Sequence, residues 1–318
     1  MSREFELIER HFTREPRGAV LGVGDDAALL RPSADRDLVA TTDTLVEGVH
    51  FSSDVDPEAL GHKALAVNLS DLAAMGAQPR WVLLALTLPH ADDDWLSRFS
   101  RGFMTLADSF EVDLVGGDTT RGPLSICVTA LGEVDRGAAL RRDGARAGED
   151  VWVSGVIGNA ALALLHLKGD VRLKDPDLGK CLARLHTPKP RVALGRRLVG
   201  IASSAIDVSD GLVADLGHIA GRSNVRAVVE YARVPCAPSV VSIKGHDPIR
   251  RAILGGGDDY ELCFTAPRDR ARDLEKLSGE LGVGLTCIGR TEEGQGVAVS
   301  NEDGSPMPIE AAGFDHFR

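Results

Sequence analysis

The sequence predicts a two-domain protein in which short β-strands alternate with longer helices, and three observations carry that prediction. At 318 residues the chain is long for one hydrophobic core, and 43% hydrophobic residues suffice for two. Strand-like apolar runs recur between helical patterns in both halves. Around DRGAALRRDGARAGED, positions 135 to 150, hydrophobicity falls and Arg, Gly and Asp dominate, which places the junction between a domain 1–137 and a domain 138–318.

In the first half, GAVLGV, DLVATT, WVLLALTL, VDLVGG and LSICVTALGEV read as strands, the last alternating Leu124, Ile126 and Val128 against Ser125, Cys127 and Thr129. Between them DPEALGHKALAVNLSDLAAMGA has Asp56 to cap it, Pro57 at its first position and Gly76 past its end, so it reads as one helix. DDDWLSRFSRGFMTLADSF reads as another, with Trp95, Phe99, Phe103, Leu106 and Phe110 forming an apolar core stripe. The second half starts over with the strand VWVSGVIG, the helix GNAALALLHLKG and a second helix leading into TPKPRVALGRRLVG. SSAIDVSDGLVADLGHIAGRS follows, then the strands VRAVVEY, ELCFTA, LTCIG and VAVS.

Lys and Arg number 36 against 47 Asp and Glu, a formal net charge of -11. That balance speaks against nucleic acid or an anionic membrane as a partner, and an anionic ligand would need cations between itself and the protein. The five cysteines, Cys127, Cys181, Cys236, Cys263 and Cys287, show no C-x-x-C pair, and three sit in apolar runs. Reduced thiols and a cytoplasmic address are expected. MSREFELIERHF is charged and amphipathic rather than basic-then-apolar, and no run nears the roughly 18 apolar residues of a membrane span, so a soluble protein is expected.

LGVGDDAALL, positions 21 to 30, sets Asp25 and Asp26 after a Gly-Val-Gly turn. One such pair is ordinary turn chemistry, because Gly accepts positive φ and Asp caps its own backbone. The arrangement returns, however, in LVATTDT (Asp43), VDLVGGDTT (Asp118), AIDVSDG (Asp207, Asp210) and AILGGGDDYE (Asp258, Asp259, Glu261). Each reads as an acid at a strand exit beside Gly, Thr or Ser. Asp71 lies three positions after Asn68 on the predicted helix, which puts both on the face of Ala64, Leu72 and Met75.

Carboxylates gathered in this way would repel one another by on the order of several kcal/mol at low dielectric. Apart from Arg121, Arg141 and Arg142 no basic cluster stands near these motifs. Divalent metal is the economical counterion, and all-oxygen donors select Mg²⁺, which completes its shell with waters and substrate phosphates. Nine histidines and five cysteines show no zinc-ligand spacing, and no calcium-loop pattern occurs. The glycines at 22 to 24, 116 to 117 and 255 to 257 would let backbone N–H groups approach phosphate oxygens. Neither a P-loop nor a dinucleotide fingerprint is present. Ser209, outside any G-x-S-x-G elbow, reads as a hydrogen-bond donor to ligand. No enzyme nucleophile is expected, because phosphoryl transfer works by positioning and charge neutralisation.

GVGDDAAL, TTDTLVEGVHF, KALAVNLSDLAAMGAQP, LVGGDTTRGPLS, AIDVSDGL and GGDDYELCF, in this order, resemble the bacterial thiamine-monophosphate kinase family. Its superfamily also holds aminoimidazole ribonucleotide synthetase, selenophosphate synthetase and a hydrogenase maturation factor. The likeness runs from about position 4 to the C-terminal GFDHF. The resemblance implies an α/β and α+β protein of the two-domain aminoimidazole-ribonucleotide-synthetase-like fold. Its N-terminal mixed sheet would be flanked by helices and pair across a homodimer, and its C-terminal α+β domain would close over the active site. It implies ATP-dependent phosphorylation of thiamine monophosphate to thiamine diphosphate by direct in-line transfer, with several Mg²⁺ ions.

Carried over by position, Asp26, Thr41, Thr42, Asp43, Asp71, Asp118, Asp207 and Asp210 resemble the metal positions, with Asp71 and Asp118 the most critical. Gly117, Asp118, Arg142 and Ser209 resemble ATP contacts, while His50, Asp258 and Phe314 resemble substrate contacts. Asp258 departs from the family's usual GGEDYEL, its carboxylate being one methylene shorter. Two further readings stay open on the residues alone: another ATP-dependent synthetase of the superfamily, and a non-catalytic Mg-nucleotide-binding regulator.

Overall fold

The computed structural model describes residues 3–308 and 313. The chain divides into two compact units, Met1–Leu72 with Ala77–Gly137, and Ala73–Gly76 with Ala138–Arg318.

The first unit runs α1 (Arg3–Phe12), β1 (Arg36–Val46), α2 (Pro57–Ala74), β2 (Gln78–Leu88), α3 (Asp93–Ser109), β3 (Asp113–Arg121) and β4 (Ser125–Asp135). Its strands form one mixed sheet in the order β1-β4-β2-β3, with only the β2–β3 pair parallel. α2 starts where its residues predict, because Asp56 Oδ1 accepts the N–H groups of Glu58 at 2.7 Å and Ala59 at 3.2 Å. Asp92 caps α3 in the same way, accepting from Asp94 at 3.0 Å and Trp95 at 3.2 Å. The α3 stripe buries Leu96, Phe99, Phe103 and Leu106, with Trp95 stacked on Phe99 at 5.0 Å between ring centroids. On the sheet, Val82, Leu84 and Leu86 of β2 and Ile126, Val128 and Ala130 of β4 are buried, whereas Leu83 and Ala85 are exposed. Burying each of the larger aliphatic side chains contributes about 1.5–3 kcal/mol.

Three sequence expectations need correction here. GAVLGV forms isolated bridges rather than a strand: Leu21 and Leu29 exchange backbone hydrogen bonds at 3.2 and 3.0 Å across a short loop. The segment is too short and too glycine-rich to extend a ladder. β1 and β3 run beyond the acids read as their exits, so Asp43 and Asp118 lie within strands.

The second unit runs β5 (Asp150–Ser154), α4 (Asn159–Lys168), α5 (Asp177–His186), α6 (Val192–Leu198), β6 (Ser204–Asp207), α7 (Leu212–Ser223), β7 (Arg226–Glu230), α8 (Asp247–Gly255), β8 (Leu262–Ala266), α9 (Ala271–Leu281), β9 (Leu285–Glu292), β10 (Gly296–Ser300) and β11 (Pro306–Met307). Its seven-stranded sheet has the order β11-β10-β7-β9-β5-β8-β6, with β7 and β10 parallel and the other pairs antiparallel. Its core gathers Val151 and Val153 of β5, Leu162 of α4, Leu216 and Ile219 of α7 and Ile253 of α8. The third correction is AILG, read from sequence as a strand end: it closes α8, so Asp258 and Asp259 precede β8 instead of leaving a strand. A short apolar run does not reveal its own period.

Candidate active site

In the first unit β1 and α2 bring two of the sequence-predicted residues together: the Thr41 hydroxyl donates to Asp71 Oδ2. Strand alternation puts Asp43 on the same face of β1 as Thr41. Asn68, one turn before Asp71, is fully buried; its Nδ2 donates to the Ala64 carbonyl at 3.2 Å, while its Oδ1 has no hydrogen-bond partner among the described residues. Thr42 turns elsewhere, its hydroxyl donating to the Val128 carbonyl at 3.1 Å and accepting from the Thr129 hydroxyl, also at 3.1 Å.

Register keeps Asp43 and Asp118 apart, on the two edge strands β1 and β3, three strand spacings or roughly 14 Å from one another. Asp43 is level with Val128, Leu84 and Gly117, and the adjacent row runs Thr44, Cys127, Ala85 and Asp118. Gly117 has φ +153°, and a Cβ there would stand 1.8 Å from the Leu84 carbonyl oxygen, so no other residue fits that turn of β3. The ladder irregularity between Val82 and Leu83 lies directly beside it. Asp26 is exposed on the loop closed by Leu21 and Leu29, where Asp25 Oδ1 accepts the Asp26 N–H at 2.8 Å. His50 Nδ1 accepts the Val46 N–H at 3.0 Å, which leaves the ring hydrogen of a neutral imidazole on Nε2.

In the second unit the AIDVSDG and GGDDYEL motifs lie side by side. Asp207, 3% exposed, ends β6 opposite Leu262. Beyond it the pairing continues: Val208 N–H donates to the Glu261 carbonyl at 2.8 Å, Tyr260 N–H to that of Val208 at 2.8 Å, and Asp258 N–H to that of Ser209 at 2.9 Å. Arg142 is exposed and its carbonyl accepts the Ser223 hydroxyl at 2.7 Å, while neighbouring Arg141 is committed to Asp143 at 2.6 and 2.8 Å. Phe314 lies outside the described residues.

Three acids that shape these loops are not among the candidates for that role in sequence. Asp215, in the first turn of α7, accepts the N–H groups of Ser209, Asp210 and Gly211 at 3.0, 3.1 and 3.0 Å, fixing the loop that carries two candidate ligands. Burial, helped by the charge of Asp210, pushes its pKa up to about 7 against the pull of those N–H bonds. Asp259, fully buried, accepts from Gly158 N–H at 2.5 Å and Ala160 N–H at 3.2 Å at the start of α4. Asp113 accepts from Arg17, Gly18 and Ala19 at 2.9, 2.7 and 3.1 Å. The only local signal is for Asp215, an acid four positions after a glycine that opens a helix.

Among the described residues no three His, Cys, Asp or Glu side chains gather as a ready metal cage. The donors present, the Thr41 hydroxyl and the Asp71 carboxylate, are hard oxygens. Mg²⁺ is ordinarily held by one or two carboxylates together with substrate phosphates, so the set fits it.

Residues 24–134 match the family model described as AIR synthase related protein, N-terminal domain. The chain is 44% identical over 319 aligned positions to thiamine-monophosphate kinase from Escherichia coli (strain K12), covering 99% of this chain and 98% of that protein. It is 50% identical, with a TM-score of 0.85 over 95% of this chain and 96% of the other, to the crystal structure of thiamine-monophosphate kinase from Stenotrophomonas maltophilia K279a. A structure described as AaThiL complexed with AMPPCP and TMP is 33% identical, with a TM-score of 0.78 over 98% of this chain and 96% of that one. With this much identity over essentially its full length, the chain belongs to the thiamine-monophosphate kinase family.

Proposed function

We propose that this chain transfers the γ-phosphoryl group of ATP to the phosphate of thiamine monophosphate. An acceptor phosphate oxygen bonds to the γ-phosphorus while the bond from that phosphorus to the β,γ-bridging oxygen breaks, giving thiamine diphosphate and ADP. The observation that carries the reading is the relative matched over 98% of this chain and described with AMPPCP and TMP bound. A monophosphate has its second pKa near 6, so at neutral pH the attacking oxygen is already ionised and no side chain need remove a proton.

Asp71 with Thr41, Asp43, Asp26 and Asp118 in the first unit, and Asp207 and Asp210 in the second, are the residues that would hold Mg²⁺; Thr42, whose hydroxyl is turned to the open sheet face, is left out of that set. When bound, such ions neutralise phosphate charge that the acidic surface would otherwise repel. Gly117, Asp118, Ser209 and Arg142 serve ATP; the exposed guanidinium of Arg142 suits the planar recognition of phosphate oxygens. His50 and Asp258 contact thiamine monophosphate, His50 as an Nε2–H donor. The second unit's backbone pairing holds Ser209 beside Asp258, so one candidate nucleotide contact and one candidate acceptor contact are fixed together within that unit.

The open face of the first unit's sheet supports a homodimer. By register Leu38, Ala40 and Thr42 of β1 and Leu83 and Ala85 of β2 share that face, and all five are exposed. A cytoplasmic setting suits five free thiols, and no helix among the described residues is long and apolar enough to cross a membrane. The deciding experiment mixes the purified chain with Mg²⁺, ATP and thiamine monophosphate and separates the products by chromatography. Thiamine diphosphate formed in step with ADP supports the reading; ADP released without thiamine monophosphate, or no transfer at all, overturns it.

A further inference from the structure

Asp258 and Tyr260 both stand in the left-handed region of backbone space, at φ +67° and +49°. A bulky aromatic residue seldom adopts that conformation, and strain of this kind persists only where the surroundings over-determine it. They do so here. The Asp258 and Tyr260 N–H groups are bound to the carbonyls of Ser209 and Val208, and Asp259 between them is locked to the N–H groups of Gly158 and Ala160. The result of the twist is a contact between side chains two residues apart: Tyr260 Oη donates to Asp258 Oδ1 at 3.0 Å. Tyr260 is 8% exposed, so its ring is fixed by packing, whereas Asp258 remains half-buried.

A hydroxyl bonded to an ionised carboxylate makes a charge-assisted bond, stronger than a neutral pair. A carboxylate has about four acceptor sites, so this bond fixes its orientation without exhausting its capacity to accept from a ligand. We propose that Tyr260 is a positioning residue for substrate recognition. Its hydroxyl holds the short Asp258 carboxylate in the orientation that accepts a hydrogen bond from thiamine monophosphate. The inference rests on the assignment of Asp258 as a substrate contact.

Steady-state kinetics of Tyr260→Phe, Asp258→Asn and the double variant, each with its melting temperature, test it. Phe keeps the buried ring and removes only the hydroxyl. Tyr260→Phe should raise KM for thiamine monophosphate about tenfold, as loss of one charge-assisted bond predicts, with KM for ATP and Tm unchanged. Asp258→Asn should raise the same KM at least as far, and Tyr260→Phe should add nothing in that background. If Asp258→Asn raises KM and Tyr260→Phe does not, or if the two effects multiply, the positioning role is overturned while the substrate contact stands. If Asp258→Asn leaves KM for thiamine monophosphate unchanged, the contact itself fails and the inference with it. A rise in both substrates' KM with a fall in Tm would make Tyr260 structural only and would equally overturn the proposal.

Discussion

Arg191 grips Glu261 with two bonds, Nε to Oε2 at 2.6 Å and Nη2 to Oε1 at 2.5 Å. Arg184 adds a third from its Nη2 at 2.5 Å and the Ser154 hydroxyl a fourth at 2.5 Å, around a carboxylate with no solvent exposure. The four bonds anchor the start of β8 and with it the GGDDYEL segment. Glu261→Gln removes the charge between two guanidinium groups that are 13% and 17% exposed. Breaking a buried pair from one side costs about 3–5 kcal/mol, because the remaining charges lose their counterion. A clearly lower urea midpoint for the second unit is expected, and an unchanged midpoint would show the network to be dispensable.

Asp113 acts on the loop before the Gly-Asp-Asp motif, gathering three successive N–H groups from residues 17 to 19 while itself only 7% exposed. Asp113→Ala should release them, and hydrogen exchange at Gly18 and Ala19 should quicken by about tenfold or more, in line with the roughly 1.5–3 kcal/mol that a hydrogen bond to a charged group contributes. Exchange as slow as in the parent protein would mean that other contacts hold the loop.

The parts of the fold that were legible in sequence are those decided locally. Asp56 announces a helix start because a cap bonds only two or three residues ahead, and the alternation in LSICVTALGEV announces β4 because one face is buried. The acids were harder. Asp113, Asp215 and Asp259 look in sequence like Asp43 and Asp118, yet each is consumed by backbone N–H groups, and the partners of Asp113 lie 94 to 96 positions away. A carboxylate beside a glycine loop can satisfy a cation or a run of N–H donors, and only the tertiary fold decides between them. Tyr260 gives no sequence signal for a related reason, since its bond to Asp258 depends on two left-handed residues that no periodicity marks.

Asp259 gives the second unit a pH dependence of known sign. Burial raises its pKa from 3.8 to about 7, opposed by the Gly158 and Ala160 N–H groups and by the charge of Arg184. The folded chain therefore binds this proton more tightly than the unfolded one. The stabilisation is fully present below about pH 4 and is lost as pH rises through about 7, amounting to at most about 4 kcal/mol. Asp259→Asn cannot titrate, so the stability gap between parent and variant should narrow from pH 5 to pH 8. Thermal melts across that range check this, and a gap that widens with pH would reverse the assignment.

Turnover separates the candidate metal donors from structural acids. Asp71→Asn and Asp118→Asn should each lower kcat by about a hundredfold or more, as loss of transition-state charge stabilisation does. Thr41→Val, which removes the hydroxyl bonded to Asp71 but no charge, should cost about tenfold. None of the three should shift the melting temperature by more than a few degrees. Near-normal turnover in either aspartate variant contradicts the metal assignment.

Gly102 and Gly221 both sit inside helices, where alanine is intrinsically favoured by about 1 kcal/mol, yet the same substitution should have opposite effects at the two places. At Gly102 of α3 an added Cβ would stand 1.8 Å from the Glu58 carbonyl oxygen of α2, and at Gly61 of α2 one would stand 2.0 Å from the Phe99 carbonyl. The two helices touch through backbone at these points, and no side chain there can move aside. At Gly221 of α7 nothing lies within 4 Å. Gly102→Ala should therefore destabilise the first unit by about 1–3 kcal/mol or more through overpacking, whereas Gly221→Ala should stabilise the second by up to about 1 kcal/mol. Urea titration of both variants decides it: a stabilised Gly102→Ala would mean that α2 and α3 are farther apart than a shared backbone contact requires.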